Sequence, residues 1–225
     1  MKERIELIKI LIIVVEFIAF FAGLIVLKKL KPPSVKWMVA YLFIISCSEL
    51  AGRILTIMKY KVQVSFLFEY FVIPLEFLFF YWFFYSVSSK SRFKKICLLF
   101  MFLSVVSRVV ETVFFSNTKF FFSSFSYTVS NMLLLIIVIV HLIGFVKSDK
   151  ILFFKKNIVI WISIALLIFY LGTFPFYAFN NFLWETEKKL AFFYWQLSMF
   201  LNMTMYLLFA TGFIWTTSGS KYSSQ

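Results

Sequence analysis

Apolar runs recur along the whole chain, separated by short polar stretches in which lysine collects. Each run approaches the roughly 20 residues that a helix rising about 1.5 Å per residue needs to cross a hydrocarbon core about 30 Å thick. The pattern predicts seven membrane helices, over residues 10–27, 37–58, 64–86, 96–115, 125–146, 158–178 and 190–216. The expected fold is all-α: a polytopic membrane protein folded as a seven-transmembrane-helix bundle. Pro32 and Pro33 forbid the first helix from continuing. Pro74 falls inside the third run and predicts a kink. Gly172 and Pro175 lie near the end of the sixth. No stretch of this sequence remains for a soluble domain, so residues 1–225 read as one membrane domain.

Polar residues interrupt these runs, and that is where function is sought. An ionisable group inside lipid is costly, turns inward and pairs. Five carboxylates fall inside the spans: Glu16, Glu49, Glu69, Glu76 and Glu111. Arg53, Arg108 and the single histidine, His141, join them, with the amides Asn131, Gln196 and Asn202. Except for His141, they concentrate in the half of the bundle nearer the N-terminal side. Spacing assigns faces. Glu49 and Arg53 are one helical turn apart, Arg108 and Glu111 share a face, and Glu69 and Glu76, seven apart, share another. The expected arrangement places the pairs Glu49–Arg53 and Arg108–Glu111 around Glu76.

Two readings of this layer stand open. In one, the polar groups tie helices together and bind nothing. In the other, they line a water-accessible cavity that binds a small ligand or relays a proton. Five carboxylates exceed what two arginines neutralise, so at least one is protonated or solvated; Glu76, at mid-depth beside Pro74, is the candidate. The candidate ligand-binding or network residues are therefore Glu49, Arg53, Glu69, Glu76, Arg108, Glu111, Asn131, Gln196 and Asn202. The aromatic runs Phe77–Tyr85 and Phe120–Tyr127 read as lipid-facing surface and interface belt. Ala19, Ala22 and Gly23 suit close helix approach.

Composition agrees and narrows the chemistry. Hydrophobic residues make up 62% and charged residues 15%, far from a soluble domain. The net charge of +13 lies mostly in loops, which points to anionic lipid headgroups and topology rather than nucleic acid. One histidine excludes an HExxH zinc site, and Cys47 and Cys97 form no metal spacing. There is no GxSxG elbow and no glycine-rich phosphate loop. No lysine lies between Leu190 and Ser220, where a retinal Schiff base would need one. No cofactor, metal or catalytic residue is expected, and the chain does not read as an enzyme. The basic first segment lacks a small-residue cleavage site and reads as a retained helix.

The stretches Trp161–Phe176, WISIALLIFYLGTFPF, and Leu201–Trp215, LNMTMYLLFATGFIW, resemble a group of small uncharacterised seven-span proteins of Bacteroidota, often encoded near sensor histidine kinases. The resemblance implies a sensory or signalling role. The leading expectation is an inner-membrane sensor or signalling partner that acts through a sensor kinase or other membrane protein, with the lipid bilayer and an unknown small ligand as partners. A small transporter or proton-coupled carrier is the first alternative. An accessory or effector protein that works by oligomerisation, for example in phage defence, is the second. Thirteen flanking Lys and Arg residues fall on the side of the C-terminus and eight on the side of the N-terminus. The positive-inside rule then places the N-terminus outside and the C-terminus in the cytoplasm. A phosphatase active only in the periplasm, fused at Gln225, is expected to be silent; strong activity there reverses the orientation.

Overall fold

The computed structural model describes residues 2–114 and 124–218. Those residues are helical, with no strand among them. The helices are α1 (Lys2–Val26), α2 (Pro33–Ile57), α3 (Lys61–Val87), α4 (Ser91–Phe114), α5 (Ser124–Val146), α6 (Ile158–Ala178), the short α7 (Asn180–Thr186) and α8 (Lys188–Ser218). All but α7 are long and apolar enough to cross a membrane, seven among the described residues. Each overlaps one predicted apolar run, although α1 begins at Lys2, well before its run at residue 10. The run around Phe120 falls outside the described residues as far as position 123.

The turns follow from local chemistry. α2 opens on Pro33, whose fixed φ suits a first helical position and whose missing N–H has no partner to lose there. It closes in a Schellman motif. Tyr60 N–H reaches back to Leu55 O at 2.9 Å and Lys59 N–H to Thr56 O at 3.1 Å, with Lys59 in the left-handed region at φ 65°. So short a turn makes α2 and α3 sequential neighbours. Between α3 and α4, Ser88 is extended and its Oγ accepts Lys90 N–H at 3.2 Å.

The helices group into two compact units, and α2, α5, α6 and α8 each contribute to both. One unit holds residues up to Cys47, Val138–Phe169 and those from Met199 onward. Its core includes Ala19, Met38, Leu42, Ile162, Phe209 and Phe213, all fully buried. Small residues set the helix spacing here, as the sequence suggests. A methyl group added at Gly23 would lie 2.8 Å from Val39 Cγ2 and 3.1 Å from the Phe213 ring. One at Gly212 would lie 2.7 Å from Cβ of Trp161, whose indole also packs on Trp215 at 5.2 Å.

The other unit holds Ser48–Ile137 and Tyr170–Ser198. Its spine is α3, whose Ile73–Val87 part packs on α4. The aromatic run expected on the lipid surface lies largely inside. Phe77, Phe80, Tyr81, Phe83 and Phe84 are buried. The physical reason is periodicity: positions 77, 80, 81 and 84 repeat at helical spacing and form one inward stripe. Tyr81 also carries a hydroxyl that needs a partner, and it donates to Ser130 O at 2.8 Å. In the second run, Phe125 is exposed while Ser126 and Tyr127 are buried.

Two glycines of the first unit test this packing. In Gly212→Ala the new methyl meets a Cβ fixed to a neighbouring backbone, so the helices must part; overpacking of this kind costs about 1–3 kcal/mol. Nothing lies within 4 Å of a methyl at Gly144. Gly144→Ala is expected to be neutral or to stabilise by up to about 1 kcal/mol through helix propensity. Melting temperatures in detergent should therefore order Gly144→Ala at or above wild type and Gly212→Ala clearly below it.

Candidate functional site

The densest polar contacts of the second unit centre on Arg108. Its Nη1 lies 3.6 Å from Glu111 Oε2, one turn further along α4, as the three-residue spacing leads one to expect. Its Nη2 lies 3.9 Å from Glu69 Oε2 on α3 and donates to the Glu69 carbonyl oxygen at 3.1 Å. The guanidinium stacks over the Tyr70 ring, 4.8 Å from its centroid, a cation–π contact.

The Glu69 carbonyl is open to Arg108 for a reason written in α3. That helix contains a π turn over Phe68–Val72, followed by Pro74. The Ile73 N–H, which a regular α-helix would send to Glu69, goes instead to Phe68 O. The next amide position belongs to proline, which has no N–H. Arg108 fills the gap. In lipid, where water does not satisfy such groups, side chains and neighbouring helices take over this role.

Glu111 has a second task. Its carboxylate accepts Phe125 N–H at 3.0 Å, Ser126 N–H at 3.1 Å and the Ser126 hydroxyl. These are orphan amides of the first turn of α5, where the helix dipole also favours negative charge. A carboxylate of one helix thus caps the start of the next.

Beside this network lies a cavity of about 210 Å³ between α3, α4 and α5. Ile73, Pro74, Phe77 and Leu78 of α3 and Val105 and Val109 of α4 form most of its wall. Glu69 and Arg108 stand at one end. Ser104, Ser126, Ser130 and Tyr127 complete it. The Ser104 and Ser130 hydroxyls bond each other at 2.5 Å, and Ser126 is held by Glu111. Glu69, Arg108 and the three serines are engaged within the protein, so much of the surface left to the cavity is carbon. Of the nine candidate residues, only Glu69 and Arg108 line it.

A second polar centre in the same unit surrounds Glu76. Tyr170 of α6 donates to Glu76 Oε1 at 2.7 Å. Glu49, Tyr127 and Tyr177 are within electrostatic range of Glu76. Aromatic contacts knit the group: Phe77 to Tyr127 at 5.3 Å, Phe77 to Tyr170 at 5.6 Å and Tyr127 to Tyr177 at 4.4 Å. Glu69 and Glu76 therefore contact different helices, although regular spacing assigns them one face. The π turn adds one residue to the helix between them, which turns everything beyond it by about 100°. Glu69 meets α4 and Glu76 meets α6.

The other candidates divide. Asn131 is fully buried; its Nδ2 lies 3.4 Å from Tyr170 O, and its Oδ1 has no hydrogen-bond partner among the described residues. Arg53 and Gln196 are half-buried in the same unit. Asn202 belongs to the other unit, as do Glu16, which is fully buried, and His141, which is half-buried. The pattern of charges alone misses Tyr70, Tyr127, Tyr170 and Tyr177. Two signals for them exist in the chain: Tyr127 precedes Asn131 by one turn, and Tyr170 and Tyr177 are two turns apart.

In comparison with known proteins, no family model, no curated protein and no solved structure matches this chain.

The Arg108 network makes a quantitative prediction. At an effective dielectric of about 20, an ion pair at 3.6 Å gains about 4–5 kcal/mol of gross attraction. Desolvating each ion costs several kcal/mol, so the assembled network is close to break-even. Removing one member is different, because a charge is left uncompensated. The side chains of Arg108, Glu69 and Glu111 are 20%, 18% and 12% exposed, so solvent screens little of that penalty. Arg108→Gln is expected to destabilise by about 3 kcal/mol. Adding Glu69→Gln should recover part of it, since neighbouring groups do not act additively. Unfolding in detergent measures both; an Arg108→Gln effect no larger than that of exposed Lys90→Gln would dismiss the network.

Proposed function

We propose that this chain is an integral membrane sensor or signalling partner of the bacterial inner membrane. It binds a small ligand in the α3–α4–α5 cavity and acts through another membrane protein, a sensor kinase being the partner that the resemblance of its last third suggests. The observation that carries this reading is the position of the cavity. Ile73, Pro74 and Phe77 of its wall directly follow the π turn of α3, and Arg108 at its end holds that turn's open carbonyl. π turns inside α-helices are frequent at functional sites. A ligand that prefers one pitch of α3 over another would shift the helix between two states by its difference in affinity. With the C-terminus cytoplasmic, the charged end of the cavity faces the periplasmic half of the membrane.

A second reading, a proton-coupled carrier, draws on the Glu76 centre. Buried carboxyl groups hydrogen-bonded to hydroxyls within membrane spans commonly mark proton relays. Photo-crosslinking in native membranes separates the two. Photoreactive residues at the exposed positions Phe21, Phe102 and Phe200 are expected to give a discrete adduct with one other membrane protein. Its yield should change several-fold in Arg108→Gln. No adduct at any of the three, together with proton uptake by proteoliposomes that Glu76→Gln abolishes, would replace the sensor with the carrier.

A further inference from the structure

We infer that the α3–α4–α5 cavity takes one hydrocarbon chain of a membrane amphiphile whose head is uncharged and hydroxylated, admitted sideways from the bilayer. This deepens the sensor reading and rests on it for its biological meaning, but the site itself is argued from geometry.

The mouth is the first argument. Phe102, Val105, Val109 and Val113 repeat at helical spacing along α4, and all four are exposed. In a membrane span such a stripe faces acyl chains. Val105 and Val109, 45% and 55% exposed, belong both to this stripe and to the cavity wall. The cavity therefore meets the hydrocarbon through α4.

The interior is the second. An apolar cavity of about 150 Å³ lined by Leu, Ile and Phe stays dry and accepts benzene. This one measures about 210 Å³, enough for a few more carbon atoms but narrow for a drug-sized ligand. A slim chain fits that volume. Leu78, Ser104 and Ser130 lie deeper along their helices than Glu69, Arg108 and Ser126, so the cavity lengthens along the membrane normal, as a lipid chain does.

The charged end is the third. The Arg108 guanidinium is already engaged by two carboxylates, Glu69 and Glu111, and by the Glu69 carbonyl. A phosphate or carboxylate head would have to displace one of these carboxylates to reach the guanidinium. A hydroxyl head can both donate to a carboxylate and accept from a guanidinium.

The test uses the full chain in lipid nanodiscs with a diazirine-bearing fatty alcohol, read by peptide mass spectrometry. Adducts are expected to concentrate on α3 and α4 residues of the cavity wall. Unlabelled fatty alcohol should compete, and the fatty acid of equal chain length should compete far less. Leu78→Trp fills the cavity and should abolish the adduct in a protein that still melts cooperatively; Val109→Phe at the mouth is the second variant should the first not fold. Adducts spread equally over the lipid faces of α1 and α4, or equal competition by acid and alcohol, would overturn the inference. The readout needs no partner protein. A cavity adduct without any response of the partner crosslink would sink the sensor reading and leave the site standing, whereas a responsive crosslink without a cavity adduct would do the reverse.

Discussion

One guanidinium organises the second unit. Arg108 projects from α4 within the membrane and must be neutralised there. It takes a carboxylate from its own helix, a carboxylate and a backbone carbonyl from α3, and the face of a tyrosine. Glu111, held by Arg108, in turn supplies the acceptor that the first amides of α5 require. Three helices are thus joined by a chain of obligations, each set by the absence of water. The network adds little net stability, because attraction and desolvation nearly cancel. It fixes which neighbours α4 has, because any other arrangement leaves a charge exposed to hydrocarbon.

The cavity follows from the same constraint. The groups that make this region polar on paper are used up on one another and on backbone. What is left to a ligand is the carbon of Pro74, Phe77, Leu78 and two valines, with a charged end whose guanidinium is already engaged. A layer of charges in a sequence suggests a hydrated chamber; the same charges, once paired, leave an apolar one. The Glu76 centre differs. There Tyr170 gives a short hydrogen bond, and another carboxyl group, Glu49, stands within electrostatic range.

The architecture was legible because lipid enforces it. A run long enough to cross hydrocarbon has to be helical, so the presence of seven long apolar helices follows from hydropathy alone. The Arg108–Glu111 contact was legible too, since three residues along one helix leave no freedom. So was the close approach at Gly23. The limits of such reading are equally physical. The π turn breaks the arithmetic that puts Glu69 and Glu76 on one face, and together with Pro74 it frees the Glu69 carbonyl to which Arg108 donates. The cap on α5 comes from α4, across a connection in which no local motif announces it. The buried aromatic run was misjudged because Phe suits lipid and core alike; its periodicity decided the matter, and its composition did not.

The cap that Glu111 places on α5 has a consequence for how the chain enters the membrane. Synthesis runs from the N-terminus, so Glu69 in α3 is already in place when α4 emerges. Arg108 then arrives with one partner waiting and a second three residues behind it. Inserted alone, an arginine near a helix centre costs about 2.5–3.5 kcal/mol on insertion scales. A hairpin of α3 and α4 brings Arg108 and Glu69 together, which lowers that cost. Only then does α5 follow, its first amides meeting a carboxylate fixed by the two helices before it. The order in which partners become available along the chain matches the order in which they are needed.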